Sequence, residues 1–300
     1  MYKSAILPVF LSLCLFHCGQ YIHKPVVRQG ALLQRVAGDF DFTEGPAADR
    51  EGNVYFTDQP NNRILKWSVD GELSTFVEPA GRANGLYFDS EGNLVACADE
   101  KNELWSISPD KKVTVLASNY EGSLLNGPND VWVHPDGQLY FTDPMYPRSY
   151  WNRGPMEQTC QGVYLLTADR KNLIRVIDDL EQPNGIVGTA DGKILYVADI
   201  QAKKTYRYTI EEDGSLTHKQ VFCNVGSDGM TLDSEGHVYL TGFGVTVFNA
   251  MGAMVERIEV PESWTANVCF GGQDGKTLFI TASRSLYSIQ MRVHGMEAQE

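Results

Sequence analysis

Six oxygen-bearing side chains recur at one phase of a repeat in this 300-residue chain. They are Glu44, Asn84, Asn129, Asn184, Asp228 and Asn267, and each stands seven residues before an Asp-Gly or Glu-Gly pair. Carboxylates and amide carbonyls are hard donors, and Ca2+ takes about six to eight such oxygens at roughly 2.3–2.6 Å. Glu44 and Asp228 supply charge, and the asparagines supply neutral carbonyl oxygens. Two carboxylates brought close together repel, and a divalent cation removes that cost. No His or Cys stands at this phase, which argues against a zinc-type donor set. Local turn chemistry would account for any one of the six. Six in phase point instead to a converging ring that binds one divalent cation.

The elements that must position this ring are read from the repeat itself. The pairs are Glu51-Gly52, Glu91-Gly92, Asp136-Gly137, Asp191-Gly192, Glu235-Gly236 and Asp274-Gly275, separated by 40, 45, 55, 44 and 39 residues. Apolar, period-two stretches rich in Val, Leu, Tyr, Phe and Thr flank each pair, and no helical stripe is evident. A period near 40 residues with strands throughout is that of a β-propeller blade. The expected fold is therefore all-β, a six-bladed propeller with four-stranded blades. The last repeat holds only three strand-like stretches, near 268–270, 277–281 and 285–289. Residues 31–37 read as an orphan strand, so the N-terminal strand should complete the sixth blade and remove an open edge.

Hydrophobic residues make up 43% of the chain and the net charge is −13. That composition supports one propeller domain over residues 21–300 and, without a basic stripe, excludes nucleic acid as a partner. Residues 1–20 differ: Lys3 precedes an apolar run over 5–16, too short for a mature membrane span. This reads as an export signal, placing the protein in the periplasm or outside the cell. Cys18 follows Leu15-Phe16-His17 in a lipoprotein-like arrangement. A lipid anchor there is the one membrane contact the sequence suggests. Cys97, Cys160, Cys223 and Cys269 are widely spaced, with no Cys-x-x-Cys pair.

The longest gap carries an insertion over residues 144–161, with Tyr146, Arg148, Tyr150, Trp151 and Arg153 among prolines and glycines. Beside a central site it would serve as a lid or pocket wall, with Tyr146 a candidate substrate contact. A surface loop packed on its own aromatics is the alternative.

Five motifs then carry a family likeness: Phe42-Thr43-Glu44-Gly45-Pro46, Asn126-Gly127-Pro128-Asn129-Asp130, Tyr140-Phe141-Thr142-Asp143-Pro144, Gln182-Pro183-Asn184-Gly185 and Ser227-Asp228-Gly229-Met230. In order and spacing, from about Phe42 to Ile289, the chain resembles the gluconolactonase, senescence-marker protein and luciferin-regenerating family. The resemblance implies that Glu44, Asn129, Asn184 and Asp228 bind the metal, most naturally Ca2+. It implies that Asn129 also meets substrate, and that Asn84 and Asn267 are ring neighbours. The substrate would be a small lactone or related ester. The cation would polarise its carbonyl, and Asp228 would act as the catalytic group on the attacking water. One departure stands out. Relatives place basic residues after the second strand of blade two, whereas this chain reads Cys97-Ala98-Asp99-Glu100-Lys101-Asn102-Glu103. A substrate other than the usual sugar lactone is the expectation drawn from it. Phosphotriester hydrolysis on the same scaffold, and a non-catalytic binding propeller stiffened by calcium, are the competing functions.

Overall fold

The computed structural model describes residues 24–296, and within them every regular element is a strand. Strand burial follows radial position. The second strands Leu94–Ala98, Leu139–Asp143 and Val238–Gly242 are buried at every residue, whereas the outer strands Leu73–Val77 and Val113–Ala117 are partly exposed. A strand covered on both faces must be apolar throughout, which is why these stretches read as continuous hydrophobic runs. Side chains from adjacent blades fill the space between sheets. Trp132 and Tyr140, Leu195 and Val197, and Leu232 and Leu240 thus form one core across three neighbouring blades.

Six four-stranded sheets are present, five of them built from consecutive strands. The blades begin with Thr43–Ala48, Ala83–Phe88, Val131–Val133, Pro183–Gly188, Met230–Leu232 and Thr265–Gly271. The Asp-Gly and Glu-Gly pairs join first to second strands, and their glycines take the left-handed conformation, with φ of +87° at Gly52 and +91° at Gly137.

The sixth sheet is closed by the N-terminal strand. Gln34–Gly38 pairs antiparallel with Ser285–Gln290, setting Gln34 opposite Ser288 and Gly38 opposite Ser285. The strand begins three residues later than 31–37 suggested, because Ala31 instead turns back to bond Arg28. A clasp extends the closure: Val27 bridges to Met291, and the Val26 amide donates to Glu256 at 2.6 Å. Two further differences are local. In the third blade Asn129 and Asp130 stand before the inner strand, because their amides bond Thr142 rather than entering the ladder. A short hairpin, Asn119–Tyr120 with Ser123–Leu124, precedes that blade without a recognised sequence signal.

The export signal and Cys18 lie outside the described residues. Among those described, no helix is long and apolar enough to cross a membrane. Among the described residues, Cys97, Cys160, Cys223 and Cys269 are not joined in disulfides.

Deleting the chain through Gly38 should expose the Ser285–Gln290 edge and unclasp the ring. We expect a drop in melting temperature of about 10 °C or more, read by circular dichroism, whereas an unchanged melt would contradict closure by this strand.

Candidate functional site

The ring residues turn toward the axis because the inner strands are bulged there. Glu44 pairs with Thr57, but the next pair is Ala47 with Tyr55, so Gly45 and Pro46 leave the ladder. The same skip follows Ala83 in the second blade and Pro183 in the fourth, releasing Asn84 and Asn184. A bulge re-aims a side chain that a regular ladder would send into the sheet packing. Asn129 and Asp228 stand just before their inner strands. Close approach between blades needs the glycine that follows. A Cβ at Gly45 would lie 2.1 Å from the Asn84 carbonyl, and one at Gly185 2.9 Å from that of Asp228.

Five of the six ring residues are buried, and Asp228 is half-buried. Glu44, Asn184 and Asp228 lie together. The Asn184 amide nitrogen donates to Asp228 Oδ1 at 2.8 Å and to the Tyr146 hydroxyl at 2.9 Å. Trp264 Nε1 donates to Asp228 Oδ2 at 2.6 Å, and the Gly45 amide donates to Glu44 Oε2 at 2.9 Å. Burial first, and then the negative charge of Asp228, raises the Glu44 carboxyl well above its ordinary range. Burial likewise pushes Asp228 up to about 6, against the pull of its bonds from Trp264 and Asn184.

One atom here is conspicuous. Asn184 has committed its amide nitrogen to two partners, and its Oδ1 is buried with no hydrogen-bond partner. Buried polar atoms are almost always satisfied. An acceptor left bare beside two crowded carboxylates fits a cation held by oxygen donors. Among the described residues no three His, Cys, Asp or Glu side chains cluster as a metal site. The oxygens here are two carboxylates supplemented by amides, which such a cluster would not capture.

Asn267 reaches from Glu44, whose carboxyl its hydrogen bond helps to hold down, to a second carboxyl at Asp130. Its amide nitrogen lies 3.4 Å from Asp130 Oδ2, and burial pushes Asp130 up to about 8. Below this pair a cavity of about 670 Å³ runs past Trp132 and Phe270 to the Glu-Gly and Asp-Gly turns. Its walls include neither Glu44 nor Asp228, so the larger void is not where the donor oxygens converge.

The insertion arches over the ring. From the third blade it sends Tyr146 to Asn184 of the fourth, and Arg148 and Tyr150 to Asp99 of the second. Trp151 Nε1 donates to the Asp99 carbonyl at 2.7 Å. The loop therefore packs on the blades around the ring as well as on its own aromatics, where Tyr150 meets Trp151 edge-on. Within the acidic run after Cys97, Asp99 pairs with Arg148 at 2.9 Å, so a basic group from the insertion stands beside it. The ring phase gave no sign of two residues in this site. Trp264 stands three residues before Asn267, at a position that carries no common type in the other repeats, and Arg148 lies in the one segment outside the repeat.

Comparison with known proteins agrees with this architecture. Residues 42–284 match the family model for the SMP-30/gluconolactonase/LRE-like region. A gluconolactonase of Zymomonas mobilis is 28% identical over 295 residues, covering 88% of this chain and 82% of the relative. A crystal structure of a protein provisionally assigned as a gluconolactonase superposes with a TM-score of 0.85 at 34% identity, covering 91% of this chain and 96% of that one. A gluconolactonase from Xanthomonas campestris superposes with a TM-score of 0.83 at 28% identity, covering 89% and 91%.

The crowding of Glu44 and Asp228 makes a stability prediction for chelator-treated protein. A carboxyl raised in the folded state stabilises most below its unfolded value, near 4 for Asp. That contribution is lost as pH rises toward the folded value, about 6 at Asp228. Stability without cation should therefore fall between about pH 4 and 6. Glu44→Gln keeps an acceptor for Gly45 but removes the repulsion. It should melt roughly 2–4 °C above wild type at pH 8, about 1 kcal/mol. A lower melt would show that the two carboxylates do not oppose each other.

Proposed function

The chain belongs to the SMP-30/gluconolactonase/LRE-like family and is a gluconolactonase-like ester hydrolase, and from that premise we propose that it opens lactones with the help of one divalent cation. The observation that carries the cation is the bare, buried Oδ1 of Asn184 beside Glu44 and Asp228. Glu44, Asn129, Asn184 and Asp228 would hold it, and the all-oxygen donor set favours Ca2+. When bound, it would polarise the ester carbonyl and offset the charge that develops on its oxygen.

The chain's own residues supply the rest. Asp228 accepts the proton of the attacking water as the new carbon–oxygen bond forms. The ring carbon–oxygen bond then breaks, and the leaving alkoxide takes that proton back to give a hydroxy acid. Trp264 and Asn184 fix the two Asp228 oxygens, so the base needs no reorientation during the step. A lactone is a reactive ester, so a base of modest strength is sufficient. Asn84, Asn129 and Tyr146 border the substrate, and Tyr146 is placed by its bond from Asn184. The Lys3-led apolar run supports an exported enzyme.

Turnover of a lactone panel with and without chelator tests this reading. Lactone hydrolysis should disappear in chelator and return with Ca2+. Hydrolysis of phosphotriesters alone, or of no ester, would favour the competing functions. Asp228→Ala should lower kcat by about 10²–10⁴, with cation occupancy measured alongside. Asn84→Ala should lower it far less. A cation-loaded Asp228→Ala enzyme near the wild-type rate would remove Asp228 as the base.

A further inference from the structure

We propose that Arg148 is a specificity-determining residue of this site, reading the hydroxyl groups of the lactone from a loop that Asp99 latches across the ring. The proposal rests on the lactone-hydrolase reading above and extends it to a residue outside the repeat.

The latch is dense for a loop so far from regular structure. Asp99 is buried, and its Oδ2 accepts from Arg148 Nε at 2.9 Å, from the Tyr150 hydroxyl and from Gln59 Nε2 at 3.3 Å. Its backbone carbonyl takes the Trp151 indole. The equivalent aspartates of other blades do different work. Asp58, Asp143 and Asp199 accept amides of the segment entering their own blade. Asp99 is turned to the insertion instead.

Arg148 is held beside Tyr146, the side chain the reading above sets against the substrate. Its guanidinium carbon lies 5.5 Å from the centre of the Tyr146 ring, and the Tyr146 hydroxyl is bonded to Asn184. The side chain keeps 25% exposure although Asp99 is almost wholly covered. A guanidinium has five N–H donors in a rigid fork, and only Nε is engaged by Asp99. The remaining edge belongs to an already neutralised ion pair. Such an edge suits neutral acceptor oxygens, because a substrate carboxylate would also face Asp99, Asp228 and Glu44.

Two lactones of equal ring size separate this role from catalysis: a six-membered polyhydroxylated aldonolactone, and δ-valerolactone, which has no hydroxyls. Arg148→Gln should lose about 10- to 100-fold in kcat/KM on the aldonolactone, chiefly through KM. On δ-valerolactone it should stay within about threefold of wild type. Arg148→Lys keeps the charge without the fork and should fall between. Asp99→Asn should reproduce the discrimination of Arg148→Gln and speed proteolysis within residues 144–161. Equal losses on both substrates, or none on either, would overturn the assignment. Wild-type silence on both lactones would instead overturn the lactone-hydrolase reading, and the proposal with it. Ca2+ binding measured on the same variants should be unchanged; its loss would make Arg148 a structural support of the ring and contradict the proposal.

Discussion

Two crowded carboxylates near one axis set the terms for this molecule. Glu44 and Asp228 come from different blades, Glu44 buried and Asp228 half-buried; burial raises both, and the charge of Asp228 raises Glu44 further. Desolvating one charge is expensive, and desolvating two like charges together is worse. Trp264, Asn184 and the Gly45 amide satisfy part of that demand with hydrogen bonds. None of them neutralises charge. The bare oxygen of Asn184 faces the same place. A site that gathers more acceptors than donors is of the kind a cation satisfies, and the proposed function rests on that fit.

The propeller supplies that convergence from repetition. Each blade contributes one residue at the same phase, turned inward by a bulge in the first, second and fourth blades and standing just before the inner strand in the third and fifth. The glycine after Glu44 and Asn184 lets the next blade close up until its backbone nearly touches. This is why so much was legible in the sequence. The Asp-Gly and Glu-Gly spacing gave the blades, and the seven-residue offset gave the ring. The short final repeat gave the N-terminal closure. The second carboxyl was less visible. Asn267 shares the phase of Asp228 but also reaches Asp130, which occupies the position that glycine holds after other ring residues.

What sequence periodicity could not show lies where the repeat is broken. Trp264 acts through a long side chain from a loop, and no spacing rule relates it to Asp228. Arg148 sits in an insertion whose path is set by Asp99, some fifty residues earlier in the chain. The acidic run around Asp99 gave no sign of its partner, which is visible only in the folded chain. Long-range pairing of this kind is tertiary and leaves no local trace.

Calorimetric titration of Ca2+ into the chain and into a Glu44→Gln/Asp228→Asn double variant tests the central claim most directly. The wild-type chain should bind one Ca2+ and release protons as it does so near pH 6, because the carboxylates must ionise to accept it. The double variant keeps the shape and the amide oxygens and should bind none. Equal binding by both, or no binding by the wild type, would contradict a cation as the purpose of the ring.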